Sequence, residues 1–153
     1  RFHPKLALAY SSNERGGGIS AWKVSSEGTL TLLQTLSTLP ADFRGESAAA
    51  EVRISPNGRF AYVSNRDLAK TPEGADTIAC FSIDGEGKLS ALGHAPTARF
   101  PRCFNLAGEG RFLYAAGQRD ARLACYRIEK DGRLKELERR EVGKTPSWVL
   151  VTR

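Results

Sequence analysis

Three side chains near the middle of the sequence have the types needed for acid–base and anion-binding chemistry. Glu51 and Arg53 are two residues apart, which places them on one face of a strand, and Arg102 opens an equivalent segment farther along the chain. A carboxylate can activate water or orient another group, and guanidinium groups bind anions and stabilise a developing oxyanion. We therefore predict that Glu51, Arg53 and Arg102 form a catalytic group. A mutually neutralising structural pair is an equally good interpretation of Glu51 and Arg53.

Four further polar side chains stand where short apolar runs end, and we predict that they bind substrate at the rim of the same site. They are Asn13, Glu14, Arg66 and Gln118. Asn13 is also a good residue for closing the turn that follows its strand. No spacing of His, Cys, Asp or Glu indicates a metal site, and we predict neither a metal nor a cofactor. The tripeptide 143–145 lacks the earlier glycine of a phosphate-binding loop.

An internal repeat supplies the elements that must position these side chains. Tyr10, Tyr62 and Tyr114 are 52 residues apart within similar apolar runs. In every copy a second aromatic residue follows, and a Gly-x-Leu tripeptide places its leucine eight residues after that aromatic residue. The three tripeptides are Gly28-Thr29-Leu30, Gly87-Lys88-Leu89 and Gly132-Arg133-Leu134.

The repeated unit has the composition of β-structure. Its runs are rich in Val, Ile, Leu and aromatic residues, and turn sequences such as Ser55-Pro56-Asn57-Gly58 bound them. The central unit predicts four strands, at residues 51–55, 60–65, 77–83 and 88–95. A repeat of about 45–50 residues with four strands is typical of a propeller blade. We therefore predict an all-β fold, a β-propeller of four-stranded blades.

About three blades fit into the chain. We predict them at residues 1–39, 51–95 and 102–142, with the start of a next blade at 147–153. The first unit is expected to keep only its last three strands, at 6–10, 19–24 and 29–36, and residues 147–151 are expected to form a further first strand. Closed propellers have about 4–8 blades. Two blade faces should therefore be open, covered either by the missing part of the ring or by a second copy of the chain.

The composition restricts which classes of ligand and partner, and which cellular compartment, we predict. Among 153 residues, 23 Lys and Arg stand against 17 Asp and Glu, a net charge of +6 that suits a small anionic ligand. The basic residues are scattered, so we predict no nucleic-acid partner, and no apolar run reaches the ~20 residues of a membrane span. Three distant cysteines without a Cys-x-x-Cys motif favour a cytoplasmic protein. Since Met is absent, we expect a processed product or a piece of a longer chain.

Two long connections interrupt the repeat, at residues 37–50 and 67–76. Connections of this length are often functional, and a tolerated surface insertion is an equally good interpretation.

The sequence resembles the lactonase family of seven-bladed propellers. The resemblance is carried most specifically by the block at residues 45–66, which contains Glu51-Val52-Arg53-Ile54-Ser55-Pro56-Asn57-Gly58, and by residues 37–40 before it. His3-Pro4 with Asn13-Glu14, and Pro101-Arg102 with Gly110-Arg111-Phe112, are also similar to family motifs. The similarity spans essentially the whole chain, which corresponds to the C-terminal half of the family's ring.

The resemblance implies a hydrolase of carbohydrate metabolism that opens a sugar-acid lactone such as 6-phosphogluconolactone, without a cofactor. The family is related to carboxymuconate-lactonizing enzymes, so a cycloisomerase acting on a muconate-like acid is one alternative. A non-catalytic scaffold that binds a protein or a small ligand through its loops is another. Because the ring is incomplete, an inactive piece of an active parent protein is also compatible with these residues.

Overall fold

The computed structural model describes residues 1–69 and 76–152, and within them three antiparallel sheets contain eleven strands. The first sheet consists of β1 (Leu8–Asn13), β2 (Gly18–Val24) and β3 (Leu30–Ser37). The second consists of β4 (Ser47–Ile54), β5 (Phe60–Asp67), β6 (Thr77–Ile83) and β7 (Leu89–Pro96). The third consists of β8 (Pro101–Ala107), β9 (Phe112–Gly117), β10 (Arg122–Ile128) and β11 (Leu134–Glu141). Strands that follow one another in the chain are neighbours in each sheet, which confirms the predicted all-β, blade-like units.

The described residues contain little other regular structure. A single 3-10 turn at Gly108–Gly110 joins β8 to β9, and no helix in these ranges is long and apolar enough to cross a membrane. Most of the predicted 67–76 connection lies outside the described residues.

The repeat is visible in the irregularities of the sheets as well as in their strands. The pairing of the last two strands shifts register immediately before the second aromatic residue of each copy, at Trp22, Phe81 and Tyr126. A bulge of this kind adds local twist to a sheet. The three sheets are therefore copies of one unit down to the position of the bulge.

A tyrosine-to-glycine contact joins each sheet to the next. The Tyr10 hydroxyl donates to the Gly87 carbonyl at 2.9 Å, and the Tyr62 hydroxyl donates to the Gly132 carbonyl at 3.0 Å. Both glycines have a positive φ, +86° and +88°, and a Cβ on Gly132 would collide with the ring of Phe60. The residue type at this glycine position is therefore restricted in two ways, by the positive φ of its own turn and by the close approach of the preceding sheet.

Replacing Tyr62 by Phe is expected to lower the free energy of unfolding by about 1–2 kcal/mol, because the buried Gly132 carbonyl loses its donor. The equivalent hydroxyl of Tyr114 has no partner among the described residues, so Tyr114→Phe is the matched control and should change stability by less than about 0.5 kcal/mol. Urea unfolding of both variants measures the difference. Equal losses would show that the phenol-to-carbonyl contact does not stabilise the interface.

Two hydrophobic clusters lie on either side of the second sheet. One, between the first and second sheets, contains Tyr10, Val63 and Phe81. The other, between the second and third sheets, contains Tyr62 and Phe104. Every residue of β5 is buried because the second sheet is covered on both faces, and this includes the four polar residues that end the strand.

The two ends of the chain differ from the prediction. Residues 147–151 form no strand, although they lie beside β8, where Asn105 Nδ2 donates to the Val149 carbonyl at 3.2 Å. A strand needs a partner with a row of free backbone groups, and none of the described strands pairs with these residues. Whether residues 147–153 begin a further blade stays a prediction.

The first unit has more of a first strand than predicted. The backbone nitrogen of Arg1 donates to the Tyr10 carbonyl at 2.7 Å, and the Tyr10 nitrogen donates back to Arg1 at the same distance. His3 continues this ladder toward Leu8, at 2.9 Å. Residues 1–3 thus occupy the place of an inner strand beside β1, which brings the Arg1 side chain toward β4.

Candidate active site

The first strands of the second and third sheets lie next to each other, and β4 packs between β1 and β8. Both of these inner strands are bulged toward one end. The β4–β5 register shifts between Ala49 and Val52, and the β8–β9 register shifts between Pro101 and Cys103. Bulges redirect side chains and are common beside active sites. In this protein Glu51 and Arg102 are the charged residues within the two bulges.

A cleft of about 440 Å³ opens at this end of the inner strands. Its charged lining comes from all three units: Arg1, Glu14, Glu51, Arg66 and Arg102. The cleft therefore holds three guanidinium groups and two carboxylates. Two of the three predicted catalytic residues and two of the four predicted binding residues are brought together here.

Glu51 is enclosed by cations. Its Oε1 accepts a hydrogen bond from Arg1 Nη2 at 2.9 Å and lies 3.3 Å from Arg53 Nε. Arg53 Nε also donates to the Phe104 carbonyl on β8 at 3.3 Å, and the Arg53 side chain does not line the cleft. With only 14% and 16% of their side chains exposed, Glu51 and Arg53 form an ion pair within β4, and the hydrogen bond from Arg53 links this pair to β8. Their catalytic roles stay predictions.

Glu14 and Arg66 form a different kind of pair. Glu14 Oε1 lies 2.6 Å from Arg66 Nη2, yet 66% of the Glu14 side chain is exposed while 5% of the Arg66 side chain is. The hydrogen bond from Arg66 and its positive charge lower the pKa of Glu14, with a smaller contribution from Arg102. The cleft therefore presents an ionised, solvent-facing carboxylate beside a guanidinium group that is fixed in place.

The remaining contacts of Arg66 leave part of its guanidinium group without a hydrogen-bond acceptor. Nη2 also donates to the Ala49 carbonyl at 3.3 Å, and Nε is buried with no partner among the described residues. Glu14 and Arg66 stand at the same position of the repeat, 52 residues apart. The repeat therefore places a carboxylate on one unit against a guanidinium group on the next.

The other two predicted binding residues lie outside the cleft lining. Asn13 Nδ2 donates to Ser20 Oγ at 3.0 Å, a contact between adjacent strands of the first sheet. The backbone nitrogen of Gln118 donates to the Phe100 carbonyl at 3.3 Å. A substrate-binding role for Asn13 and Gln118 stays a prediction.

Sequence reasoning did not select Arg1, whose guanidinium group lines the cleft and binds Glu51. No feature of the repeat marks it, because it precedes the first recognisable strand. Its place follows only from the short backbone ladder that residues 1–3 form with β1.

Metal and thiol chemistry have little support in the described residues. No group of three or more His, Cys, Asp or Glu residues in residues 1–69 and 76–152 could hold a metal ion. Cys103 lies next to Arg102 but is buried, and burial raises the pKa of its thiol.

The chain matches the family described as "Lactonase, 7-bladed beta-propeller" over residues 1–151, and it belongs to that family. It is 39% identical over 153 residues to the 6-phosphogluconolactonase of Serratia proteamaculans (strain 568) and 37% identical to that of Yersinia pestis (strain Pestoides F). Each comparison covers 98% of this chain but 44% of the relative, so the chain spans less than half the length of these curated relatives.

The chain is also similar in fold to solved structures, each of which it covers only in part. A protein from Lactobacillus plantarum superposes with a TM-score of 0.86 at 27% identity, over 96% of this chain and 42% of the other. The periplasmic gluconolactonase PpgL of Pseudomonas aeruginosa superposes with a TM-score of 0.82 at 28% identity, over 92% of this chain and 38% of the other. The three sheets are therefore consecutive blades of a propeller.

Proposed function

We propose that the full-length protein hydrolyses the lactone of an anionic sugar acid, with 6-phosphogluconolactone as the first substrate to test. The observation that carries this proposal is the Glu14–Arg66 pair at 2.6 Å, with Arg102 on the same cleft. Relatives named 6-phosphogluconolactonase, at 37–39% identity, support the choice of substrate.

The charges of the cleft suit such a substrate. Three guanidinium groups face two carboxylates, and a phosphate or carboxylate group would meet the excess positive charge. Arg66 and Arg102 are the groups we assign to this anion and to the lactone carbonyl, whose oxygen becomes negative during attack. Arg66 suits the second role because it lines the cleft and its contact with Glu14 holds its guanidinium group in place.

The reaction needs one water molecule and two proton transfers. We assign Glu14 to accept a proton from the water as its oxygen attacks the lactone carbonyl carbon. The ring C–O bond then breaks, the ring oxygen takes up the proton, and the open-chain acid is released. Glu51, bound to Arg1 and Arg53, serves as the orienting carboxylate of the same cleft.

The proposal is tested by measuring acid release from freshly prepared lactone with and without purified full-length protein. We expect catalysis well above spontaneous hydrolysis, and a higher kcat/KM for the phosphorylated lactone than for the unphosphorylated one. An unchanged spontaneous rate for both lactones would overturn it. Turnover of a muconate-like acid in its place would indicate the cycloisomerase alternative.

Glu14 and Glu51 should differ in their importance. Glu14→Gln removes the proposed proton acceptor and is expected to lower kcat by about 100-fold or more. Glu51→Gln keeps a hydrogen-bond acceptor for Arg1 and should cost about 10-fold or less, with a larger loss of thermal stability because Arg53 is left unpaired. Steady-state kinetics and thermal melts of both variants measure this. A greater loss of kcat in Glu51→Gln would instead make Glu51 the proton acceptor.

A further inference from the structure

Phe100, in the connection between β7 and β8, has a backbone conformation that is unusual for its residue type. Its φ is +59°, in the left-handed region that costs a non-glycine residue roughly 1–2 kcal/mol. Three backbone contacts hold it there. Its nitrogen donates to Asp76 Oδ1 at 3.0 Å, and its carbonyl accepts hydrogen bonds from the nitrogens of Arg102, at 2.9 Å, and Gln118, at 3.3 Å.

The strained backbone places the Phe100 ring against Arg66. The Arg66 Cζ atom lies over this ring, 5.2 Å from its centroid, which is within the range of a cation–π contact. The hydrogen bonds of Arg66 run from Nη2 to Glu14 and Ala49, while Nε has no partner among the described residues. The ring therefore supports a guanidinium group that hydrogen bonds hold only through Nη2.

Arg119, in the connection between β9 and β10, contacts the same Phe100 ring. Its Cζ atom lies 4.1 Å from the centroid of the Phe100 ring. Its Nη1 donates to the carbonyls of Asp67, at 3.0 Å, and Ala69, at 3.3 Å, which closely follow Arg66 in the chain. Arg119 thus fixes both the ring and the end of the strand that carries Arg66.

We propose that Phe100, held by Arg119, is a positioning residue that sets both cleft arginines. Its ring fixes the guanidinium plane of Arg66, and its carbonyl fixes the backbone of Arg102 where β8 is bulged. This inference rests on the proposed function for its kinetic consequences, but the placement of Arg66 beside Glu14 can be measured without any activity. Neither Phe100 nor Arg119 lines the cleft, so neither is a catalytic residue.

Phe100→Leu tests the role of the ring in the full-length protein. The variant keeps an apolar side chain and the same backbone requirement but removes the aromatic face. Phe100→Tyr keeps that face and should restore the wild-type properties. Phe112→Leu is the matched control, because Arg111 lies over Phe112 at 5.7 Å, away from the cleft.

The decisive readout is the titration of Glu14, followed by carbon-13 NMR of its carboxyl group. The cations that lower the pKa of Glu14 are Arg66, which has the largest effect, and then Arg102 and Arg15. In Phe100→Leu the Arg66 contact should loosen, so the pKa of Glu14 should rise toward its ordinary value, while Phe112→Leu should leave it unchanged. Because unfolding would also return this pKa to its ordinary value, the titration is compared only among variants whose circular dichroism spectrum matches that of the wild type.

The kinetic readout is KM for the anionic lactone, which we expect to rise about 3- to 10-fold in Phe100→Leu, with recovery in Phe100→Tyr. Arg119→Lys keeps the charge, removes the planar guanidinium group that lies over the Phe100 ring and should shift both readouts in the same direction. It serves as the second variant because the Arg119 side chain is exposed, so the test does not depend on the folding of Phe100→Leu.

A Glu14 titration identical to wild type in both Phe100→Leu and Arg119→Lys would overturn the inference. A failure of the proposed function would give a different combination of kinetic and titration results. The wild-type protein would not accelerate lactone hydrolysis, while the Glu14 titration would still respond to the two substitutions.

Discussion

Arg66→Gln is expected to lower kcat/KM for the lactone by a factor of about 100 to 1,000. The reason is the burial of this side chain, of which 5% is exposed, so its charge acts on the lactone carbonyl with little screening by water. Gln keeps a donor but loses the charge and the forked geometry. The substitution also removes the partner of Glu14, whose pKa should rise toward its ordinary value. Steady-state kinetics on the full-length protein measure the effect.

Arg15→Gln is the control for this experiment. Arg15 is exposed, follows Glu14 in the chain and does not line the cleft. Its removal changes the net charge by the same amount as Arg66→Gln and should alter kcat/KM by less than about twofold. If a folded Arg66→Gln variant stayed within twofold of wild type, the Glu14–Arg66 pair would not be the reacting centre.

Gly132→Ala is expected to lower the free energy of unfolding by about 2–4 kcal/mol. Part of this is the cost of a Cβ at φ +88°, and part is its collision with the Phe60 ring, whose own Cγ lies only 2.9 Å from the ideal Cβ position. Phe60 is buried within the cluster between the second and third sheets, so the ring has little room to retreat. Chemical denaturation of the 153-residue chain measures the loss.

Gly28→Ala separates the two contributions. Gly28 stands at the same position of the first unit with φ +81°, and in the described residues a Cβ there would meet open space. It should therefore cost only the conformational part, about 1–2 kcal/mol. Equal losses in Gly28→Ala and Gly132→Ala would show that the close approach of Phe60 contributes nothing to the stability of the interface.

The repeat made much of the fold predictable from sequence. The strands predicted at residues 60–65 and 77–83 appear as Phe60–Asp67 and Thr77–Ile83, because apolar runs bounded by turns have few alternatives. Residues 147–151 show the limit of this reasoning. Their pattern is that of a strand, but pairing depends on a neighbouring strand that the local sequence does not contain.

Sequence reasoning predicted which residues line the candidate site better than it predicted which of their side chains form pairs. Spacing within the repeat was enough to bring Glu51 and Arg102 to one cleft with Glu14 and Arg66. It could not show that Glu51 is held by Arg1 while Glu14 faces solvent, because bulges change the direction of side chains and no residue pattern marks them. The left-handed conformation of Phe100 was equally hidden, since two of the three contacts that hold it come from the distant residues Asp76 and Gln118.

A crystal structure of the full-length protein with the open-chain acid product bound would show directly whether this cleft is the reacting centre. We expect an anionic group of the product within hydrogen-bond distance of Arg66 and Arg102, with the carboxylate of Glu14 facing the carbon that was the lactone carbonyl. A product bound elsewhere on the propeller, with Glu14 still paired to Arg66 in a cleft that holds only water, would contradict this expectation.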